Sequence, residues 1–174
     1  VGGCFLNYAT CKKRVNIDGY IFVSPKLGYK SDADRHPFTS DPFAKAHIGT
    51  IIVNKISNGT IFEHSIGVEM NYSKEAIKAE PLLVNKYTCA TVKAITPTNP
   101  KNQFSNLDKP FLLFVGANDE VMEPNNTIRY YNYSSEQVKQ KSQCTIIANQ
   151  NHLGILRISG NIIANYLNEL NSKF

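Results

Sequence analysis

Three short apolar runs and one long amphipathic stretch stand out from the pattern of hydrophobic and polar positions. Gly19-Tyr20-Ile21-Phe22-Val23-Ser24-Pro25 is apolar at consecutive positions and closed by proline. It predicts a strand buried on both faces, as in a parallel sheet. Pro110-Phe111-Leu112-Leu113-Phe114-Val115-Gly116 repeats that signal and ends in the turn Ala117-Asn118-Asp119-Glu120. Cys144-Thr145-Ile146-Ile147-Ala148 is a third short strand, followed by the polar loop Asn149-Gln150-Asn151-His152. Ile155, Ile158, Ile162, Ile163, Tyr166, Leu167 and Leu170 then recur at three- and four-residue steps, the period of an amphipathic closing helix. Pro124 to about Tyr133 predicts a helix, with the proline at an early helical position. Val1 to Thr10 has helical spacing behind Gly2 and Gly3, two glycines that suit close backbone approach.

The predicted order is helix, strand, irregular stretch, strand, helix, strand, helix. Such alternation predicts an α/β fold with a parallel sheet. Between Lys26 and about Leu107 the periodicity fails. Asp32, Asp34, Pro37, Asp41 and Pro42 mark a polar loop, and Ala46 to Asn54 and Asn71 to Ala79 have mixed patterns. Leu82 to Ile95 is moderately helical before Thr96-Pro97-Thr98-Asn99-Pro100 breaks it. Some eighty residues of weak period between two clear strands predict an inserted cap.

Composition narrows the classes. A chain of 174 residues, 42% hydrophobic and 19% charged, can bury a sizeable core and is neither fibrous nor disordered. The net charge of +5 is scattered. Its one tight cluster, Lys12-Lys13-Arg14, has no interleaved aromatic residues for base stacking, so no nucleic-acid partner is expected. Cys4, Cys11, Cys89 and Cys144 show neither C-x-x-C nor Cys/His ligand spacing, so no metal site is expected. Read as free thiols, they fit a reducing compartment and a cytoplasmic location. The N-x-S/T matches at Asn58, Asn71, Asn125 and Asn132 weigh little in so asparagine-rich a chain. No apolar run nears the ~18 residues of a membrane-spanning helix, so no stable membrane insertion is expected. The chain opens on Val1, and its first residues read as internal to a longer sequence.

The chemistry sits at strand ends. Ligands of open α/β sheets bind beyond the carboxyl ends of the strands. Asp119 follows the second strand and His152 the third, and the residues between suffice for one helix and one strand. Neighbouring parallel strands would bring the carboxylate to the imidazole. A carboxylate on one ring nitrogen fixes the tautomer and leaves the other nitrogen as general base. Taken alone, Asp119 could equally be a helix-capping turn residue and His152 an ordinary loop histidine; their joint placement favours the catalytic reading. His36, His47 and His64 lie in the irregular stretch with no matching carboxylate pattern, and packing or surface roles are expected for them.

These segments resemble a family. Pro110–Asp119 looks like the seventh strand and acid turn of α/β-hydrolases, and Cys144–Ile155 like their eighth strand and histidine loop. Tyr20–Pro25 resembles the sixth strand, and Val1–Thr10 the helix after the nucleophile elbow. The resemblance implies the C-terminal part of an α/β-hydrolase fold, parallel strands six to eight with flanking helices. Residues 1–28 and 105–174 would form the core and 29–104 the cap. The lysophospholipase-like or serine-aminopeptidase-like esterases are the most similar group. The family places its nucleophile in G-x-S-x-G. Here Val1-Gly2 matches the last two positions, so the serine would immediately precede Val1, and no serine present lies in such a context. Ser24 follows a strand but precedes a proline, which rules it out as a substitute.

The resemblance implies ester hydrolysis through an acyl-enzyme, with Asp119 orienting His152 and the Val1 backbone N–H as one oxyanion donor. No cofactor is implied. The expected partners are a small-molecule or lipid ester and the remaining N-terminal half of the same protein; oligomeric state stays open. The cap would shape the acyl or alcohol pocket, with Ile48 to Val53 and Leu82-Leu83-Val84 available to an acyl chain or to plain packing. These 174 residues alone are expected to be inactive. An aspartate nucleophile, as in epoxide hydrolases and dehalogenases, and a non-catalytic binding relative remain open alternatives.

Overall fold

The computed structural model describes residues 17–28, 31–36, 42–79, 84–96 and 99–171. Along the chain these form β1 (Tyr20–Val23), β2 (Ala44–Ala46), α1 (Ile48–Ile56), β3 (Ile66–Met70), α2 (Lys74–Ala79), β4 (Lys86–Thr88) and α3 (Cys89–Ile95). There follow α4 (Pro100–Ser105), β5 (Phe111–Gly116), α5 (Pro124–Arg129), a 3-10 turn (Tyr130–Tyr133), α6 (Glu136–Lys139), β6 (Gln143–Ile147) and α7 (Gly154–Asn171). The first predicted helix, Val1 to Thr10, lies outside the described residues.

The chain divides into two compact units. The larger takes the residues up to Arg35 and from Thr96 onward, and the smaller runs from His36 to Ile95. Both divisions fall inside or at the edge of the stretch assigned from sequence to the cap. Leu27, Ala33, Phe104 and Leu107, from the margins of that stretch, are core residues of the larger unit.

The sheet of the larger unit has the order β1-β5-β6 and is parallel throughout. Tyr20 pairs with Phe111 and Val23 with Phe114. Leu112 pairs with Gln143 and Gly116 with Ile147. All six residues of β5 are buried, which explains an uninterrupted apolar run. One face of the sheet carries Tyr20, Phe22, Phe111, Leu113 and Val115 against Phe104, Met122 and Tyr130. The other carries Leu112 and Phe114 against Ile155 and Tyr166 of α7. Period two in the strands thus feeds two separate clusters.

Two local predictions change and a third is extended. The helix expected from Pro124 to Tyr133 is α-helical only to Arg129 and then tightens into the 3-10 turn. The expected break after Ile95 does end α3 there, and its last residues, Asn99-Pro100, also open α4. Asn99 Oδ1 accepts from the Asn102 backbone N–H at 3.1 Å, and Pro100 occupies the first turn. On α7 the stripe is narrower than expected, because Leu167 is exposed while Ile155 and Tyr166 are buried.

The smaller unit holds an antiparallel sheet of order β2-β3-β4 with helices α1 and α3. The sequence reading left this region unassigned, with Ala46 to Asn54 and Asn71 to Ala79 open to short helices or strands. Two of the three strands are three residues long, Ala44–Ala46 and Lys86–Thr88, too short to display a period. The moderately helical stretch ending at Ile95 proves to be β4 followed by α3 in its described part.

Candidate active site

Adjacent parallel strands β5 and β6 deliver their following loops to one edge of the sheet. The loop after β6 folds back across the end of β5. Ala117 N–H donates to the Ile147 carbonyl at 2.8 Å, and Asn118 N–H to the Gln150 carbonyl at 2.9 Å. A Cβ at Gly116 would lie 2.2 Å from the Gln150 carbonyl oxygen, so this crossing requires glycine. Asn149 adopts a left-handed φ of 57° in the same turn. Asn151 Oδ1 then accepts the Gly154 N–H at 2.7 Å and starts α7.

Asp119 and His152, the two residues singled out from sequence, meet here. Asp119 is 1% exposed. His152 Nδ1 lies 3.1 Å from its Oδ1 and 3.0 Å from its Oδ2. With the carboxylate ionised, Nδ1 carries the proton and donates, leaving Nε2 as the basic nitrogen. The His152 side chain keeps 28% of its surface, so solvent and small molecules reach the ring. Asp119 Oδ1 also accepts the backbone N–H groups of Val121 at 2.9 Å and Met122 at 2.7 Å. Burial opposes ionisation of Asp119. The hydrogen bond from His152, the two backbone donors and the charge of the imidazole outweigh it and hold the carboxyl below the usual aspartate range.

Two residues the sequence reading passed over complete the arrangement. Glu120 Oε2 accepts the backbone N–H of His152 at 3.0 Å. Arg35 Nε donates to the Asp119 carbonyl at 2.6 Å and to the Met122 carbonyl at 3.2 Å, while its guanidinium pairs with Glu123 at 2.7 Å. Backbone bonds from Arg35 N–H to Val121 and from Glu123 N–H to Ala33 reinforce this bracket. Most of these partners are main-chain atoms, which leave no spacing signature.

The remaining candidates lie elsewhere. Val1 is outside the described residues. Ser24 follows β1 with a φ of 39° and a buried hydroxyl that has no hydrogen-bond partner among the described residues. His47, for which a packing or surface role is expected, has Glu69 at 3.8 Å, and His36 rests against the ring of Phe43. Both belong to the smaller unit. Among the described residues no group of three or more His, Cys, Asp and Glu side chains is placed to hold a metal ion.

No protein-family model matches the chain, and no curated protein sequence matches it. Solved structures do. A monoacylglycerol lipase from Paleococcus ferrophilus superposes on 86% of the chain with a TM-score of 0.51 at 14% identity. Est1E from Butyrivibrio proteoclasticus covers 98% at 0.51 and 15% identity. The candidate non-heme bromoperoxidase BpoC from Mycobacterium tuberculosis H37Rv covers 97% at 0.55 and 10% identity. The fold is an α/β-hydrolase fold in part. The chain spans 56%, 58% and 64% of the lengths of those three proteins. Within the α/β-hydrolase fold, β1, β5 and β6 form a parallel sheet with flanking helices, and the Asp119–His152 pair sits at its carboxyl edge. Among the described residues no helix is long and apolar enough to cross a membrane.

Proposed function

We propose that this chain belongs to a serine-dependent hydrolase of carboxylic esters, acting on small acyl or lipid-like esters. The observation that carries the reading is the buried Asp119 carboxylate, 3.0 Å from Nδ1 of a histidine whose ring is still accessible. The likeness in fold to a monoacylglycerol lipase adds to it.

In this reading Nε2 of His152 takes the proton from a serine hydroxyl as its oxygen attacks the ester carbonyl carbon. The tetrahedral intermediate collapses to the acyl-enzyme, and His152 returns the proton to the departing alcohol. The same nitrogen then deprotonates the water that releases the acid. Asp119 stays ionised throughout and stabilises the imidazolium. The serine is the residue before Val1, and the Val1 N–H is one oxyanion donor. Residues 1–28 and 105–174 serve as the catalytic core, and 29–104 as the cap that selects the acyl or alcohol group. The 174 residues alone carry acid and base without a nucleophile and turn nothing over.

Fluorophosphonate labelling of the full-length protein, with the adduct located by mass spectrometry, tests this. The expected adduct is on the residue before Val1, accompanied by hydrolysis of p-nitrophenyl esters. A folded full-length protein that takes no label and cleaves no ester overturns the proposal.

A further inference from the structure

Asp119 and Glu120 are adjacent in sequence, yet they reach His152 at opposite ends. Asp119 holds the ring at Nδ1, and Glu120 holds the main-chain N–H at 3.0 Å. We propose that Glu120 is a positioning residue for the Asp119–His152 pair, its carboxylate pinning the backbone from which the imidazole projects.

The loop explains why such a pin is needed. Residues 148–153 form the polar crossing over Gly116, with Asn149 in a left-handed conformation that costs energy for a non-glycine residue. Gln150 is tied down through its carbonyl by Asn118, and Asn151 is used up starting α7. His152 N–H has Glu120 as its partner. A ring held at Nδ1 alone can follow its carboxylate while Cα drifts, which changes where Nε2 points. Fixing both the backbone nitrogen and Nδ1 leaves Nε2 one direction. Catalytic geometry is sensitive at this level, since a misplacement of about 1 Å costs up to ~100-fold in rate. The acid turn thereby becomes a two-point holder, with Arg35 bracing its carbonyls from the other side.

For its kinetic part the inference rests on the proposed esterase activity; its structural part stands apart from it. Three variants of the full-length protein separate the contributions. Glu120→Gln keeps an acceptor oxygen at the same reach without the charge. Glu120→Asp keeps the charge but withdraws it by one methylene, and Glu120→Ala removes both. The expected result is a kcat lowered about tenfold for Glu120→Ala and Glu120→Asp, with KM within about twofold of the unchanged protein and Glu120→Gln near normal. The NMR signal of the His152 Nδ1 proton should broaden or shift in Glu120→Ala and Glu120→Asp and stay near normal in Glu120→Gln. If Glu120→Ala does not fold, Glu120→Asp decides. Unchanged kcat and an unchanged Nδ1 signal in the folded variants overturn the inference, and so does a Glu120→Gln variant as impaired as Glu120→Ala. Should the full-length protein cleave no ester, the esterase reading fails while the Nδ1 signal still decides the role of Glu120.

Discussion

His152 exposes part of its ring over a carboxylate that water does not reach, and that contrast sets what single substitutions do. His152→Ala in the full-length protein should lower kcat by several orders of magnitude with the circular dichroism spectrum unchanged; Asp119→Asn should lower it too, by less. Asp119 also makes stability depend on pH. Its carboxyl is held below the usual aspartate range, so the folded state favours the ionised form. The stabilisation is fully present above the unfolded pKa and is lost as pH falls through the lowered folded value. Denaturant titrations taken down through that range should show a shallower acid loss in Asp119→Asn than in the unchanged protein. Gly116 is the other sensitive residue. A methyl group there meets the Gln150 carbonyl, so Gly116→Ala should destabilise by about 1–3 kcal/mol and lower activity as the histidine loop shifts. Asp119 and His152 were legible because each follows a buried strand at the right interval. Arg35 and Glu120 were not, because they bind main-chain atoms, and hydrogen bonds to the backbone leave no mark in residue spacing.

At the scale of elements, legibility followed length and burial. β5, six residues buried on both faces, announced itself as an apolar run, and α7 as a three- and four-residue period. β2 and β4 had three residues each to show an alternation, and the Asn99-Pro100 start of α4 reads equally as a turn. That helix matters to the core. Phe104 is fully buried with Phe22 at 5.6 Å and Phe111 at 5.7 Å between ring centroids, so Phe104→Ala should cost about 3–5 kcal/mol by chemical denaturation. On β6, burial pushes the Cys144 thiol up to about 12. Because the thiolate is the reactive form, Cys144 should resist iodoacetamide at neutral pH in the folded protein and react once it is unfolded, as peptide mass spectrometry would register.

Across the whole molecule, every residue of the two hydrophobic clusters belongs to the larger unit. The smaller unit, with its own three-stranded sheet, contributes to neither. In the full-length protein, replacing residues 36–95 by a flexible linker should therefore leave a cooperative thermal transition of the larger unit, with any change in substrate preference measured across esters of different chain length.

The pairing of β1 with β5 has a consequence for how the chain can fold and vary. Val23 lies beside Phe114 across roughly 90 intervening residues, about 60 of them in the smaller unit. Loop-closure entropy grows only with the logarithm of length, so those 60 residues add about 1 kcal/mol to the closure. β5 and β6, by contrast, close over roughly 30 residues and carry Asp119 and His152 on the loops that follow them. The part of the sheet that holds the Asp119–His152 pair can form early and locally, while the long insertion can lengthen, shorten or be exchanged at little thermodynamic cost to it.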